Sequence, residues 1–317
     1  MKLIQGDCLE ELKKLDSESV NCCVTSPPYW ALRDYGVEGQ LGLEPTFQEY
    51  ITKLCDIFDE VKRVLRKDGT CWVNMGDTYG GSGKGAGGKT KKQLTNKGSY
   101  FKIPKETYVP DKAPKVHGDV AKCLCQIPSR FSIEMCNRGW ILRNEIIWHK
   151  PNCMPSSVKD RFTVDFEKIF FFVKNKKYWF ETQYEPNKNP EADVRRLMGN
   201  NNDTTRQGGS GAMKHKNRDE EKTRESAMRG RNKRAVWKIT TKPFKGAHFA
   251  VFPEELIETP IKAGCPKGGT VLDPFCGSGT TGVVAKKQRK EFVGIELNSE
   301  YIKMAEKRIA NAQGSLF

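Results

Sequence analysis

The chain has 317 residues, 37% of them hydrophobic and 29% charged, enough for one large buried core with a smaller region attached. Its longest apolar-aromatic run, Ile169 to Val173, falls far short of the roughly 20 residues that cross a bilayer, and Asp7 interrupts the N-terminus before a signal-peptide core could develop; we expect no membrane partner and a cytoplasmic location. A net charge of +15 and a pI near 9.2 favour a polyanion as partner, because lysine and arginine contacts release counterions condensed on phosphates.

Along the chain, Lys2 to Gln5 reads as a short strand. Leu9, Leu12 and Leu15 then share a helical stripe, and Val20 to Val24 is a continuous apolar run suited to a buried parallel strand. Phe47 to Leu65 carries apolar residues at helical spacing, Lys67-Asp68-Gly69 ends it, and Thr70 to Asn74 predicts another strand. Gly80 to about Pro114 is polar and glycine-rich and reads as a long loop or partly disordered insertion. Phe131 to Trp140 predicts a helix, and Ile141 to His149 and Phe166 to Lys174 predict strands that extend the sheet in antiparallel fashion. Asn187 to Arg234 is again polar and reads as a second loop-like insertion. Alternation then resumes with a helix at Pro253 to Lys262, a strand at Thr270 to Asp273, a glycine loop and helix from Gly277 to Lys287, a strand at Phe292 to Glu296 and a helix at Ser299 to Ala312. Strands alternating with helices predict an α/β fold, a doubly wound, mostly parallel sheet covered on both faces.

Eleven cysteines are present, but Cys22-Cys23 lies in an apolar run and Cys123-x-Cys125 has no second pair nearby. The four-ligand spacing of a structural zinc site is missing, so no metal is expected and most thiols should be free and buried.

Two constellations carry chemistry. The first, Asp273-Pro274-Phe275-Cys276-Gly277-Ser278-Gly279-Thr280-Thr281, is a strand ending in an acid followed by two glycines at the mouth of a helix. A nucleoside can approach such a backbone closely, in the crevice beyond the strand's carboxyl end. The next strand ends in Glu296, placed to accept from ribose hydroxyls. Neither a dinucleotide glycine pattern nor a phosphate-loop lysine is present, which favours a ligand without phosphates; S-adenosyl-L-methionine satisfies the remaining features.

The second constellation is Thr25-Ser26-Pro27-Pro28-Tyr29-Trp30, also at the end of a strand. Its two prolines make a rigid turn lacking N–H groups and leave carbonyls free to accept. The exocyclic amine of cytosine or adenine is a poor nucleophile because its lone pair is delocalised into the ring. A hydroxyl and a carbonyl accepting from that amine would draw it towards tetrahedral geometry. Ser26 and the Pro27 carbonyl are candidates for that task, with Tyr29 stacking on an extruded base.

On these motifs the chain resembles the DNA amino-methyltransferases, with the catalytic motif first and the cofactor motif last, as in their permuted beta group. Gly6-Asp7, Trp148-His149-Lys150-Pro151-Asn152, Lys159-Asp160-Arg161 and His248-Phe249-Ala250-Val251-Phe252-Pro253 extend the resemblance over most of the chain. The resemblance implies a circularly permuted, Rossmann-like sheet of seven strands, with catalytic residues Ser26, Pro27, Pro28 and Tyr29. It implies cofactor contacts from Asp7, Thr25, Phe252, the segment Asp273 to Thr281, Glu296 and Asn298.

It divides the chain into a catalytic part at 1–186, a target-recognition region at 187–234 and a cofactor-binding part at 235–317. Arginines and lysines of that middle region, among them Arg195, Arg196, Arg206 and Arg231, are candidates for phosphates and base edges of double-stranded DNA. Trp30, Arg33 and Lys150 are further candidates for contact with DNA. Serine at the first motif position and the His-x-Ala-x-Phe-Pro pattern favour cytosine N4 over adenine N6. The resemblance leaves open a cognate restriction endonuclease as partner and a monomer or homodimer as the assembled state. An RNA or protein-amide methyltransferase is the alternative class. A cytosine C5 enzyme is excluded on the residues, since Tyr29 and not a cysteine follows Pro28.

Overall fold

The computed structural model describes residues 1–31, 37–80, 122–198, 219–242 and 252–312, without the side chains of 196–198 and 220. From residue 81 onward the expected Gly80 to Pro114 insertion lies outside the described residues. Strand β1 (Lys2–Gln5) leads through helix α1 (Cys8–Lys13) to β2 (Val20–Thr25), and α2 (Phe47–Val64) runs straight into β3 (Leu65–Met75). Next come α3 (Ile127–Asn137), β4 (Ile141–His149) and β5 (Phe166–Val173). A segment with β6 (Tyr184–Glu185), α4 (Pro190–Met198), α5 (Glu220–Arg229) and β7 (Arg231–Asn232) follows. The chain then forms β8 (Val236–Lys238), α6 (Glu254–Gly264), β9 (Thr270–Asp273), α7 (Thr280–Lys287), β10 (Glu291–Glu296) and α8 (Ser299–Asn311). Among the described residues no helix is long and apolar enough to cross a membrane.

The main sheet runs in the order β1-β10-β9-β2-β3-β5-β4-β8. Strand β5 is antiparallel to both of its neighbours, and every other pairing is parallel. The antiparallel extension anticipated from Ile141 and Phe166 onward is therefore present. Among the described residues the sheet has eight strands where seven were expected. The additional one, β8, adds only three residues at the edge beside β4, too short for a hydrophobic period to register in the sequence.

The N- and C-terminal parts of the chain meet at the centre of this sheet, where Cys22 pairs with Val271 and Cys23 with Leu272. Side chains alternate across the pleat. Cys23, Cys71, Val73, Phe170 and Phe172 join one buried cluster with Leu12, Tyr50, Phe58 and Phe131 of α1, α2 and α3. Cys22, Val24, Trp72 and Phe171 join the other, with Ile261, Val284 and Ile309 of α6, α7 and α8. Trp72 and Phe171 stack there with ring centroids 3.9 Å apart. All eleven cysteines are free, and seven are buried, as expected of thiols used as small hydrophobes.

Local signals explain the helix ends. The Thr46 side chain accepts from Glu49 N at 3.2 Å and caps α2, a capping box written in the sequence as Thr-x-x-Glu. Helix α3 begins at Ile127, not Phe131, with Pro128 in its first turn, where a missing N–H costs nothing. Helix α6 starts one residue after Pro253 and continues to Gly264.

The described residues divide into two compact units, one of 1–181 with 235–317 and one of 182–234. The smaller unit corrects the expectation of a loop at Asn187 to Arg234. It holds two helices, α4 and α5, which bury Val194, Thr223 and Ala227, and a two-stranded ladder pairing Tyr184 with Asn232 and Glu185 with Arg231. Its apolar positions are too few to give a legible period, and its helix starts are set by Asp219 and Asn189 side chains accepting from backbone N–H groups.

Phe131 packs edge-on against Phe58 at 5.2 Å and Phe172 at 6.1 Å and is fully buried. Phe131→Ala should therefore lower unfolding stability by about 3–5 kcal/mol, read from urea denaturation; a loss under about 1 kcal/mol would contradict this packing.

Candidate active site

The carboxyl ends of β2 and β9 lie side by side at the middle of the sheet, the place where α/β folds open a crevice for ligands. There Asp273 is buried. Thr25 Oγ1 donates to one of its oxygens at 2.6 Å and Thr281 Oγ1 to the other at 2.5 Å, while Phe275 N donates at 3.1 Å. Burial pushes its carboxyl pKa up to about 6, against the lowering effect of those three bonds. These contacts tie the proline turn after β2 to the glycine loop after β9.

The glycine loop is shaped by its own backbone and by α8. Gly279 has φ +79°, and a Cβ there would come within 2.8 Å of the Ala305 Cβ, so only glycine fits both constraints. Arg308 of α8 donates to Ser278 O at 2.7 Å, Ser278 Oγ at 2.7 Å and Thr280 Oγ1 at 3.0 Å. Glu296 closes the other side: its Oε2 accepts from Gly277 N at 2.9 Å and its Oε1 from Asn298 N at 2.8 Å. Burial raises the Glu296 carboxyl above its ordinary range. Burial, then the carboxylates of Asp273 and Glu296, also raise the Cys276 thiol well above its ordinary value, which keeps it un-ionised and a poor nucleophile.

In the proline turn, the Pro28 carbonyl is occupied by the Tyr50 hydroxyl at 2.8 Å. The Tyr29 ring lies against Gly76, where a Cβ would approach Tyr29 Cε2 to 2.7 Å. The Tyr29 hydroxyl donates to Glu167 Oε2 at 2.9 Å, lies 3.3 Å from Asn74 Oδ1 and accepts from Ser26 Oγ at 3.4 Å. Burial, and then the neighbouring Glu167 carboxylate, raise the Tyr29 phenol well above its ordinary range. The other Glu167 oxygen pairs with Lys150 Nζ, which also sits 4.3 Å from the centroid of the Trp148 ring.

One cavity of about 930 Å³ joins the two constellations. Ser26, Pro27, Pro28 and Tyr29 line it together with Phe252, Pro274, Phe275, Cys276, Gly277, Ser278, Thr280, Glu296 and Asn298, and with Asp7, Asn74, Lys150 and Glu167. Thr25, Asp273, Gly279 and Thr281 do not line it; they stand behind the wall as its fixings. Asp7 also caps α1, accepting from Leu9 N at 3.0 Å and Glu10 N at 3.1 Å.

The expected DNA-contacting residues fare unevenly. Trp30 is a core residue, 1% exposed, with its indole donating to Glu44 O at 2.9 Å and its ring edge-on to Phe47; burial withdraws it from any surface role. Lys150 faces the cavity as the partner of Glu167 and is not an open surface cation. Arg33, Arg206 and the side chain of Arg196 lie outside the described residues, as do His248 to Val251. Arg195 is exposed. Arg231 pairs with Glu185 at 2.7 Å, and Arg224 pairs with Glu191 at 3.0 Å. Glu167, Asn74, Tyr50 and Arg308 were missed. The available signal was an acid at the start of an otherwise largely apolar strand, Phe166-Glu167-Lys168-Ile169-Phe170-Phe171-Phe172-Val173, since a charge within such a run needs a reason.

The raised Asp273 carboxyl makes folding stability depend on pH. A carboxyl with a folded pKa raised from 3.8 to about 6 binds more protons folded than unfolded, so its contribution to stability is greatest below pH 4 and is lost as pH rises towards 6. Asp273→Asn removes that titration. Relative to wild type, its stability should improve by roughly 3 kcal/mol between pH 4 and pH 7, superimposed on a constant loss from the altered hydrogen bonds. Thermal and urea unfolding at both pH values measure this, and a difference independent of pH would contradict it.

A family model described as DNA methylase matches residues 20–307. The Type II methyltransferase M.SmaI of Serratia marcescens is 42% identical over 308 residues, covering 97% of this chain and 90% of that protein. The Type II methyltransferase M.Cfr9I of Citrobacter freundii is 40% identical over 309 residues, with 97% and 87% covered. Among solved structures, the cytosine-N4-specific PvuII DNA methyltransferase superposes with a TM-score of 0.61 at 19% identity, covering 96% of this chain and 85% of that one. A Thermus thermophilus protein solved in complex with S-adenosyl-L-methionine gives 0.57 at 21% identity, with 98% and 93% covered.

Proposed function

This chain belongs to the N6/N4 DNA methylase family, and from that premise we propose that it methylates the N4 amine of a cytosine extruded from duplex DNA. It is an S-adenosyl-L-methionine-dependent DNA amino-methyltransferase related to the Type II enzymes of restriction-modification systems. The observation that carries amine methylation is the cavity lined by both Ser26 and Gly277. Amine alkylation requires those two loops to share one space.

The lining suits that cofactor by charge. Among the described residues, five carboxylates line the cavity, Asp7, Glu44, Asp56, Glu167 and Glu296, against two lysines, Lys53 and Lys150, each of which has a carboxylate partner. Such a surface attracts a sulfonium and an ammonium and repels phosphates. Glu296 would take ribose hydroxyls, Phe252, Pro274 and Phe275 the purine faces, and Asp7 and Asn298 polar edges nearby. When bound, the cofactor supplies an electrophilic methyl group on sulfur.

The protein's own contribution is to prepare the amine. Ser26 Oγ and the Pro27 carbonyl accept from it and localise its lone pair, whereas the Pro28 carbonyl is engaged by Tyr50 and is not available for this. Tyr29, held un-ionised, offers its ring to the extruded base. No covalent intermediate is involved, and the rate comes from position and electrostatics. The choice of cytosine rests on Ser26, a neutral group where adenine-specific relatives of the resembled group place an aspartate. The unit of 182–234 is assigned to target recognition, with Arg195 and the arginines outside the described residues reading phosphates and base edges. A cognate endonuclease and a cytoplasmic setting complete this reading.

Mass spectrometry of nucleosides from treated duplex DNA should show N4-methylcytosine. N6-methyladenine in its place would transfer the assignment to adenine, and methylation confined to RNA or protein would reject DNA as substrate. Tyr29→Ala should leave S-adenosyl-L-methionine affinity, measured by titration calorimetry, within about twofold while turnover falls roughly 10- to 100-fold, the worth of one base-aromatic stack. Unchanged turnover would remove the stacking role.

A further inference from the structure

For Ser26 to receive the target amine its oxygen must present a lone pair, and its single proton must point elsewhere. The same constraint then passes to whatever takes that proton. The Tyr29 hydroxyl lies 3.4 Å from Ser26 Oγ as its acceptor, but a phenol also carries one proton and must itself donate away. Two acceptors compete for it: Glu167 Oε2 at 2.9 Å and Asn74 Oδ1 at 3.3 Å. The shorter bond to an ionised oxygen is the stronger one. Asn74 is held in place by its amide nitrogen donating to Lys168 O at 3.2 Å, which leaves it a spectator beside the phenol.

We propose that Glu167 and Lys150 act as positioning residues that set the direction of a hydrogen-bond chain, Ser26 to Tyr29 to Glu167, so that Ser26 faces the amine as an acceptor. The inference rests on the amine-methylation reading above. A carboxylate accepts and cannot donate, so Glu167 fixes the sense of every bond upstream of it. Lys150 pairs with the second carboxylate oxygen and is itself held over the Trp148 ring. This leaves Oε2 aimed at Tyr29. Strand pairing places Glu167 opposite Trp148, two residues before Lys150, at the end where β4 and β5 meet the cavity. At 3.4 Å the Ser26–Tyr29 contact is long for a hydroxyl pair; it sets direction more than it adds strength. No bond is made or broken in this chain. Its effect is to spare the amine a competing donor.

A Glu167→Gln substitution keeps the shape but adds two donors and weakens the acceptor, so Tyr29 can be driven to accept from the amide and turn its own proton towards Ser26. The test is single-turnover methylation of duplex DNA with S-adenosyl-L-methionine by wild type, E167Q, K150M, Y29F and the double variant E167Q/Y29F. Cofactor affinity, DNA affinity and thermal unfolding are measured in parallel. E167Q and K150M should each slow the single-turnover rate about 10-fold or more, with both affinities within about twofold. The double variant should be no slower than Y29F alone, because both act through the same hydroxyl. Three results would overturn the proposal: E167Q at the wild-type rate, losses in E167Q/Y29F that multiply, or a loss residing entirely in affinity. Should E167Q not fold, K150M, which leaves the carboxylate in place, decides the matter by the same criteria. A wild-type enzyme that deposits no methyl group on a DNA base amine defeats the proposed function instead, whatever the variants do.

Discussion

The arrangement depends on a buried carboxylate. Asp273, at the end of β9, receives Thr25 from the end of β2 and Thr281 from the start of α7, and these positions are separated by up to 256 residues of chain (281 − 25). Burying a carboxylate is unfavourable unless hydrogen bonds compensate. A pKa raised to about 6 despite three donors shows that the compensation is incomplete. The fold tolerates that cost at a place where the two halves of the chain are held in register. Asp273 is an anchor behind the cavity wall, and Thr25 and Thr281 stand there with it.

From that anchor the cavity divides into two chemically different regions. Around Glu296 and Gly277 the wall is built of backbone N–H groups engaged by one carboxylate and of a loop clamped from behind by Arg308. Around Ser26 it is built of a proline turn, an aromatic ring and the Glu167–Lys150 pair. The first region has no free cation for a phosphate among its described residues, and the second holds its cation in a pair. A basic protein thus keeps an acidic pocket, and the +15 net charge must be carried by other surfaces. This separation suits a chain that attracts a polyanion while admitting a cationic small molecule to its interior.

The two compact units also differ in kind. The larger one is organised by the sheet, with clusters of buried side chains on both faces. The smaller one buries Val194 and Ala227 and is laced by exposed ion pairs such as Arg231–Glu185 and Arg224–Glu191, each worth little in water. Low apolar content leaves such a unit weakly constrained from within, a property compatible with reshaping against a partner.

The layered class and the two motifs are legible in the residues alone, because both are local. Buried strands such as Val20 to Val24 read as continuous apolar runs, and a strand ending in Asp273 and followed by Pro274-Phe275-Cys276-Gly277 reads as a tight turn into a helix. The small helices at 190–198 and 220–229 and the three-residue strand at 236–238 escaped notice because elements so short or polar leave almost no period. The tertiary structure alone decided which side chains meet. Trp30 looked like part of a contact surface until the turn beneath it buried it. Lys150 looked like a DNA contact until the pairing of β4 with β5 brought it to Glu167. Glu167 gained a role only when strand pairing placed it against a tyrosine 138 positions earlier. Hydrogen bonds between residues so far apart follow from strand order and register, which no local pattern encodes.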